Sequence, residues 1–320
     1  TLGGHEVTFH QLPSDRTIGH GAVVWEAAVI FAKYMEYCVN KNLSIVALTG
    51  KTVLELGSGT GLGGLSLVLR GAHVTSTDLQ PVCDALLYDN TKRLFNQLKT
   101  QVGNGTAGVM EVPLVCPIVY PVDWSDELNI QRLACHACDV NTDPKVDFLH
   151  YKRDSESILS SMFSGSFDAE APPTAAQVAK DMRALAAEPA ATAVAAAKAA
   201  AAKEAAAAGA GEEADAQDLP YVAPIVPTLP YDIILLTDCV FSAPLVPALV
   251  RTILAASGPK TTVYCVHEIR DVEANIAFLD ELGKYFKIKS VPQKEQHPDY
   301  RHSQVQRIIA KPRPLKKLVP

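Results

Sequence analysis

The chain of 320 residues is long enough for one large domain or two small ones with a sizeable core. Its formal net charge of −6 lacks the basic excess of a dedicated nucleic-acid-binding protein, so we expect no nucleic-acid partner. Apolar runs such as 243–256 are short and interrupted by proline or arginine, so we also expect no membrane span. The chain begins at Thr1 and not at a methionine, which suggests a fragment whose natural start is missing.

Seven cysteines are scattered through strand-like and helix-like contexts. An odd number in such contexts is typical of reduced thiols, which favours the cytoplasm and also permits the nucleus. Cys135 and Cys138 flank a histidine in the run CHAC, but no second pair of Cys or His ligands follows at the usual spacing. Because a structural zinc site needs four ligands, we expect no metal.

The first 37 residues predict an extended arm followed by a helix. Residues 5–11 alternate polar and apolar side chains, as in an edge strand or hairpin arm. Residues 17–37 begin with glycines and then become amphipathic. The apolar stripe consists of Val24, Ala28, Phe31 and Met35. Trp25 stands at the start of this helix, where its ring could pack in the core or border a ligand pocket.

Residues 51–78, KTVLELGSGTGLGGLSLVLRGAHVTSTD, predict a βαβ unit. A buried strand at 52–54 leads into a glycine turn, a helix at 62–70 and a second strand at 73–77. Glycines directly after a strand let the chain turn sharply and leave room for a ligand against the backbone. Asp78, at the end of the second strand, is placed to accept hydrogen bonds from a ribose. The unit therefore predicts a nucleoside-binding half-fold.

Two cofactors could bind such a unit. Gly59, Gly61 and Gly64 satisfy G-x-G-x-x-G, the dinucleotide pattern, which is weak on its own. The run ELGSGTG from Glu55 fits better with the acidic glycine loop of S-adenosylmethionine (SAM) enzymes, in which the carboxylate helps to hold the charged amino-acid end. A sulfonium ligand needs no helix N-terminus for a pyrophosphate, whereas a dinucleotide does. SAM is therefore the predicted cofactor, with NAD as the outside alternative.

A helix and a strand follow the βαβ unit. Residues 80–98 predict a helix that carries Asn90, and residues 115–122 predict a strand that ends at Asp123 and Trp124. An aromatic residue at the carboxyl edge of a parallel strand lies where ligands bind in doubly wound folds. Trp124 could therefore stack on an adenine, or it could anchor the next loop.

The composition changes in residues 125–228. Alanine dominates 174–211, which favours helix but buries little apolar surface. We interpret 125–228 as a low-complexity insertion without catalytic duty, because the strand that it delays resumes afterwards. The predicted domain then consists of residues 1–124 and 229–310, followed by a basic tail at 311–320.

The strand at 231–237, YDIILLT, delivers Asp238 to its carboxyl end. The whole order of elements predicts an α/β fold with a doubly wound sheet of seven strands and an antiparallel last strand. The later helices are expected at 244–256 and 272–286, and the later strands at 261–266, 288–291 and 304–309.

Five segments together resemble the seven-strand, SAM-dependent protein lysine methyltransferases. They are GAVVWEAAVIFAKYME (21–36), VLELGSGTGLGGL (53–65), VTSTDL (74–79), DW (123–124) and DIILLTDCVF (232–241). The resemblance covers the chain except for the insertion. It implies a class I, Rossmann-like SAM-dependent methyltransferase fold, a protein substrate and methylation of a lysine nitrogen.

Three runs, GHGAVVWEAA, CVHEIR at 265–270 and HPDYR at 297–301, are most similar to members that methylate valosin-containing protein, a hexameric AAA ATPase. The resemblance thus implies an AAA ATPase or a chaperone as substrate. Nothing in the sequence demands more than a monomer, so we expect a monomer. Glu268 and Arg270 could contact that substrate or form a surface ion pair. The alternatives are a translation factor, a histidine or arginine side chain as acceptor, or a SAM-binding protein that has lost catalysis.

The resemblance also implies which residues form the site. The SAM contacts would be Trp25, Glu55, Gly57, Ser58, Gly59, Asp78, Trp124 and Thr237. Asp78 would bind the ribose hydroxyls, Trp124 the adenine face, and Glu55 with the glycine loop the methionine moiety. The family's D-x-x-Y motif falls on Asp238 to Phe241, where phenylalanine lacks the tyrosine hydroxyl. We expect Asp238 to orient the lysine nitrogen as a hydrogen-bond acceptor and Phe241 to line the channel.

Overall fold

The computed structural model describes residues 5–15, 18–40, 48–103, 115–126 and 229–314. These residues all belong to one of two units, which comprises 1–150 and 218–320. The second unit, 151–217, lies outside the described residues, as does nearly all of the predicted insertion. The CHAC run and the last residues of the basic tail also lie outside them.

The centre of the fold is one sheet of seven strands. The strands are β1 (Thr52–Leu56), β2 (His73–Asp78), β3 (Ile118–Pro121), β4 (Tyr231–Thr237), β5 (Ser257–Glu268), β6 (Phe286–Ser290) and β7 (Val305–Pro312). Their order across the sheet is β3-β2-β1-β4-β5-β7-β6. The first five strands are parallel, and β7 runs antiparallel to both β5 and β6. The predicted seven-strand doubly wound sheet with an antiparallel last strand is confirmed.

Helices cover both faces of the sheet. They are α1 (Glu26–Asn40), α2 (Leu62–Val68), α3 (Tyr88–Gly103), α4 (Val246–Ala256) and α5 (Val272–Tyr285). A short turn, Gln80–Val82, and a π-helical turn, Cys83–Leu87, lead directly into α3. Side chains of α1 and α2 pack in one hydrophobic cluster, and side chains of α4 and α5 pack in a second cluster.

Strand β4 shows why the central strands are continuously apolar. Ile233 and Leu235 belong to the cluster with α1 and α2, whereas Ile234 and Leu236 belong to the cluster with α4 and α5. A parallel strand with helices on both faces buries every side chain, so the apolar run does not alternate with polar residues. The predicted bounds of this strand, 231–237, are confirmed.

The predicted extended arm at 5–11 is wrong. Within it only His5 forms an isolated bridge, and the backbone of His10 pairs with a side chain and not with a strand. Its N–H donates to Asn90 Oδ1 (2.8 Å), and its carbonyl accepts from Asn90 Nδ2 (3.0 Å). Three members of the predicted helix stripe, Ala28, Phe31 and Met35, are buried on α1. The fourth, Val24, lies before α1 and is partly buried, because the chain there follows a 3-10 turn at Gly19–Ala22.

Within the part of the chain that the structure describes, no helix has the length and hydropathy needed to cross a bilayer. The same residues contain no group of three or more His, Cys, Asp or Glu side chains that could hold a metal ion. Five cysteines are described, and all of them are buried free thiols.

The carboxyl ends of the parallel strands meet at one edge of the sheet. The chain leaves β1 toward β2 and β3 on one side, whereas β4 and β5 lie on the other side of β1. Doubly wound folds bind ligands at such a reversal, just beyond the carboxyl ends of the strands. The glycine loop after β1 and Asp238 after β4 therefore flank the expected ligand position.

Candidate active site

The glycine loop after β1 is tied to the end of β2. Ser58 N–H donates to the Thr77 carbonyl (2.9 Å), and the Thr77 hydroxyl donates to the Glu55 carbonyl (2.7 Å). Gly57 has φ 63°, and a Cβ atom there would lie only 2.8 Å from Cys239 Sγ. Only glycine satisfies both the left-handed backbone and this close approach. The loop is therefore held rigidly at the sheet edge.

Asp78 is fixed beside this loop as a hydrogen-bond acceptor. Its Oδ2 accepts from Gly59 N–H (2.7 Å), and its Oδ1 accepts from Leu79 N–H (2.8 Å). Burial raises the pKa of the Asp78 carboxyl, although both backbone N–H groups lower it. A carboxylate has about four lone-pair positions, so two remain for further donors. This arrangement fits the ribose hydroxyls that the sequence predicted for Asp78.

Glu55 is fully buried beneath the loop and has no exposed surface. Its Oε1 accepts from Gly64 N–H at the start of α2 (2.7 Å), and its Oε2 accepts from the Ser76 hydroxyl on β2 (2.9 Å). Burial raises the pKa of this carboxyl to about 7, against the opposing effect of these hydrogen bonds. Glu55 therefore joins β1, β2 and α2. The expected direct contact with a methionine moiety differs from this placement, because no part of the carboxyl group reaches the surface.

Trp124 lies against the loop on the side of β3. Its Cζ2 atom would be 3.2 Å from a Cβ atom at Gly57, so the ring packs directly on the glycine backbone. The indole Nε1 is buried and has no hydrogen-bond partner among the described residues. Buried donors are almost always satisfied by protein, water or a ligand. The ring position and the unpaired donor fit a purine bound at this edge.

Trp25 comes from the other side of the loop. The turn Gly19–Ala22 lies on the loop, since the Gly21 carbonyl would be 3.4 Å from a Cβ atom at Gly59. The Trp25 indole N–H donates to the His20 carbonyl (2.6 Å), which fixes the ring next to this turn. The segment before α1 thus covers the glycine loop and brings Trp25 to the same edge.

Asp238 follows β4 in a left-handed backbone conformation. Its φ of 59° is the only positive value at a non-glycine position within the described residues. Aspartate tolerates this region better than most residues, and such conformations cluster at functional sites. The side chain is only 3 % exposed, and its Oδ1 accepts from Glu268 N–H (2.8 Å). The carboxylate predicted to orient the substrate therefore lies inside the site and already has partners.

Arg270 connects Asp238 with Trp25. Its Nη1 lies 3.2 Å from Asp238 Oδ1, and its Nη2 lies 2.5 Å from Glu268 Oε2. The guanidinium carbon lies 4.4 Å from the centroid of the Trp25 ring. A cation thus rests on an aromatic face between two carboxylates.

Phe241 extends the aromatic surface outward. The His20 ring lies 5.4 Å from the Phe241 ring and 6.0 Å from the Trp25 ring, centroid to centroid. Phe241 is 37 % exposed, which is high for a phenylalanine. Thr237 is buried at the end of β4, opposite Val266 of β5. The predicted site residues therefore surround one sheet edge, with Thr237 inside and Phe241 outside.

The sequence interpretation missed two residues of this edge and left a third undecided. It gave no role to His20, which links two aromatic rings, or to Cys239, whose thiol donates to the Leu56 carbonyl (2.9 Å). Burial holds the pKa of the Cys239 thiol well above its usual value, so the thiol stays protonated. The sequence interpretation also left two roles open for Arg270, contact with the substrate and a surface ion pair. The available signal was a charged pair directly after a buried strand, at the end where ligands bind.

Comparison with known proteins identifies a family. A family model described as lysine methyltransferase matches residues 6–103 and 193–285. Protein N-lysine methyltransferase METTL21A of Danio rerio is 41% identical over 86 residues, which are 27% of this chain and 36% of that protein. EEF1A lysine methyltransferase 3 of Mus musculus is 41% identical over 87 residues, 27% of this chain and 34% of that protein. The match thus spans about a third of the length of these relatives.

Among solved structures, the comparison finds a TehB-like SAM-dependent methyltransferase from Corynebacterium glutamicum. The similarity has a TM-score of 0.39 at 11% sequence identity. It covers 92% of this chain and 90% of that chain.

Proposed function

Since the chain belongs to the lysine methyltransferase family, we propose that it transfers a methyl group from SAM to the side-chain nitrogen of a lysine in another protein. The observation that best supports this proposal is the pairing of two sites at one sheet edge. Asp78 and the glycine loop offer a nucleoside site on one side, through the bond from Gly59 N–H to Asp78 (2.7 Å). Asp238 and Trp25 offer a cation-binding site on the other side, across Arg270.

The residues around the loop fit SAM. Asp78 would accept hydrogen bonds from the ribose, and Trp124 would pack on the adenine and direct its buried Nε1–H to an acceptor. Gly57, Ser58 and Gly59 would line the methionine end together with Trp25 and Thr237. Glu55 would act indirectly, because its carboxyl group holds the loop and is not exposed.

When bound, SAM supplies a methyl group on a sulfonium: the lysine nitrogen forms the new N–C bond while the C–S bond breaks, and that electron pair stays on sulfur. The chain has to align the nitrogen with the methyl group, and the bound lysine has to lose its proton before transfer. With a pKa near 10.4, only about one lysine in a few thousand is neutral at pH 7. An apolar channel at Phe241 would lower this pKa by desolvation, and the released proton would go to solvent. We assign Asp238 to orientation of the nitrogen and not to removal of its proton, because a nearby negative charge favours the ammonium form.

The target is a proposal that rests on sequence similarity. The runs CVHEIR and HPDYR support an AAA ATPase such as valosin-containing protein, or a chaperone. The relative named EEF1A lysine methyltransferase 3 adds elongation factor 1A as a candidate, which belongs to the class of translation factors. We propose that the chain acts as a monomer, in the cytoplasm and also in the nucleus.

A second candidate function is a SAM-binding protein without catalysis. Phe241 is the observation that favours it, because this residue lacks the hydroxyl of the family motif. The two functions differ in one measurement, since both predict binding of SAM and only the first predicts transfer.

Mass spectrometry of methylated peptides tests the proposal. The purified chain and SAM are incubated with lysate from cells that lack the protein, and mass shifts of methyl units on lysine are recorded. We expect one dominant methylated lysine in an AAA ATPase, a chaperone or a translation factor. Demonstrated SAM binding without any methylated protein would favour the binding-only function.

Replacement of Asp238 tests its role within the proposed function. We expect Asp238→Ala to abolish transfer while SAM affinity stays within about threefold, because its carboxylate contacts no part of the glycine loop among the contacts described. Asp280→Ala, which removes an exposed carboxylate from α5, is the matched control and should retain activity. Full activity in Asp238→Ala would refute the assignment.

A further inference from the structure

We propose that the Arg270 guanidinium occupies the binding site of the substrate ammonium, and that an incoming lysine displaces it toward Glu268. The ligand class of this site is a primary alkylammonium ion. The inference rests on the proposed function, because it assigns the place where the acceptor lysine of that reaction binds. Its test measures binding of an amine without methyl transfer, so this inference and the proposed function can fail separately.

The first argument is the chemistry around the guanidinium. Alkylammonium groups are recognised by an aromatic face combined with a carboxylate. Arg270 has both, since it lies 4.4 Å from the Trp25 ring centroid and 3.2 Å from Asp238 Oδ1. The Nη2 atom also lies 3.4 Å from Asp238 Oδ2. The guanidinium therefore holds the contacts that a lysine side chain would need at the edge where SAM is expected.

The second argument is the burial of Asp238. Its side chain is 3 % exposed, whereas that of Arg270 is 34 % exposed. With Arg270 in this position, a substrate nitrogen could not reach the Asp238 carboxylate from solvent. Because a buried carboxylate is costly without a counter-charge, a second cation has to replace the guanidinium when it leaves. An ammonium ion satisfies that requirement.

The third argument is the presence of a second partner for Arg270. Glu268 is 27 % exposed, and its Oε2 already accepts from Arg270 Nη2 at 2.5 Å. The guanidinium can therefore release Asp238 and remain paired with Glu268 nearer the surface. Exchange of partners in this way costs little, because the incoming ammonium takes over the charge of Asp238 while the guanidinium keeps its pair with Glu268. Asp238 itself stays in place, because its Oδ1 also accepts from Glu268 N–H.

The fourth argument is the route to the site. Trp25, His20 and Phe241 form a row of rings with centroid distances of 6.0 Å and 5.4 Å. The outer ring, Phe241, is exposed, and the inner ring, Trp25, carries the cation. The methylene chain of a lysine could lie along such a row while its ammonium reaches the position of Arg270.

Binding of n-butylammonium, which has the side chain of lysine, tests the inference directly. The chain contains two tryptophans, so its ¹H–¹⁵N spectrum has two indole signals, and Trp124→Phe identifies them. The titration uses the full chain saturated with S-adenosylhomocysteine, with n-butanol as the neutral control ligand. We expect n-butylammonium to shift the Trp25 signal and n-butanol to leave it unchanged.

Variants of the two charged partners give opposite expectations. Arg270→Ala should bind n-butylammonium about fivefold more tightly than wild type, because no guanidinium then competes for the Asp238 carboxylate. Glu268→Gln should bind it more weakly, because the displaced guanidinium loses its second partner. Lys284→Ala is the control, since it removes an ion-paired cation from the opposite end of α5.

Equal or weaker binding by Arg270→Ala, or a response confined to the Trp124 signal, would overturn the inference. If Arg270→Ala does not fold, the test rests on Glu268→Gln. Tighter binding of n-butylammonium by Glu268→Gln would then overturn the inference. In transfer assays the inference predicts a lower KM for Arg270→Ala, whereas a purely structural role predicts a lower kcat at unchanged KM. Tighter amine binding by Arg270→Ala, without methyl transfer by any variant or by wild type, would support the ammonium site and refute only the proposed function.

Discussion

The carboxyl group of Glu55, beneath the glycine loop, makes the free energy of unfolding depend on pH. Burial raises its pKa from 4.5 to about 7 in the folded chain. Between these values the folded state keeps a proton that the unfolded state has released, so the free energy of unfolding falls as pH rises. The fall amounts to roughly 3 kcal/mol between pH 4.5 and 7 and ends above pH 7.

Glu55→Gln should remove this part of the pH dependence. The amide can still accept from Gly64 N–H and can donate to the Ser76 hydroxyl, so both contacts survive. Relative to wild type, the variant should gain stability as pH rises from 5 to 8. Urea denaturation at both pH values measures the difference. Parallel pH profiles for the two proteins would mean that Glu55 does not carry the raised pKa.

Phe241 tests whether the family's phenol is needed. It provides an exposed aromatic surface next to His20, and a hydroxyl adds little to that surface. We expect Phe241→Tyr to change kcat/KM by less than about threefold, whereas Phe241→Ala should lower it by about tenfold through loss of the channel wall. Initial rates on the methylated protein measure both effects, with SAM affinity as the control. A large gain for Phe241→Tyr would instead show that the chain lacks a group the reaction needs.

The loop between β1 and α2 depends on close packing as well as on backbone conformation. A Cβ atom at Gly57 would meet Cys239 Sγ at 2.8 Å and Trp124 Cζ2 at 3.2 Å, in addition to the strain of φ 63°. Gly50 has a similar φ of 73° with no atom within 4 Å of a Cβ position. The chain thus provides a matched pair in which only the packing differs.

Gly57→Ala should therefore cost more than Gly50→Ala. We expect about 1 kcal/mol for Gly50→Ala from backbone strain alone, and about 2–4 kcal/mol for Gly57→Ala. Only Gly57→Ala should also weaken binding of S-adenosylhomocysteine, because it moves Trp124. Urea denaturation and calorimetric titration measure these two quantities. Equal losses of stability in both variants would show that the loop has room to relax.

The elements that could be predicted from sequence are those with a local signal. Strand β4 and the βαβ unit were predicted closely, because continuous apolar runs and glycine spacing are properties of adjacent residues. The arm at 5–11 was not, because Asn90, far along the chain, pairs with the His10 backbone. The same reason applies to the site. Asp78 follows from its position after β2, whereas the contact of Arg270 with Trp25 depends on the order of strands in the folded sheet.

At the scale of the whole molecule, the site joins segments from both sides of the predicted insertion, 125–228. The Gly19–Ala22 turn and the β1 loop come from the first segment, whereas Asp238 and Arg270 come from the second segment. Side chains of α1 and α2 pack with Ile233 and Leu235 of β4 in one cluster, so the two segments share a core. A change in the insertion should therefore affect the site only if it disturbs the connection between β3 and β4.

That connection sets how much of the insertion is needed. Strands β3 and β4 are parallel to their neighbours and are separated by β2 and β1, so the chain has to cross about 14 Å of sheet. A parallel crossover needs about a dozen residues or more. The family model matches nothing between 103 and 193, and the second compact unit begins at residue 151. Residues 151–192 meet both conditions, so we expect their removal to be tolerated.

Replacing residues 151–192 with a short Gly-Ser linker should leave the sheet and the site intact. Residues 127–150 and 193–228 remain, which is ample for the crossover. We expect the thermal midpoint to change by less than about 3 °C and the affinity for S-adenosylhomocysteine by less than about twofold. A variant with 151–192 scrambled at full length separates the effect of length from that of sequence. If both variants lose binding, residues 151–192 support the site and are needed for its structure.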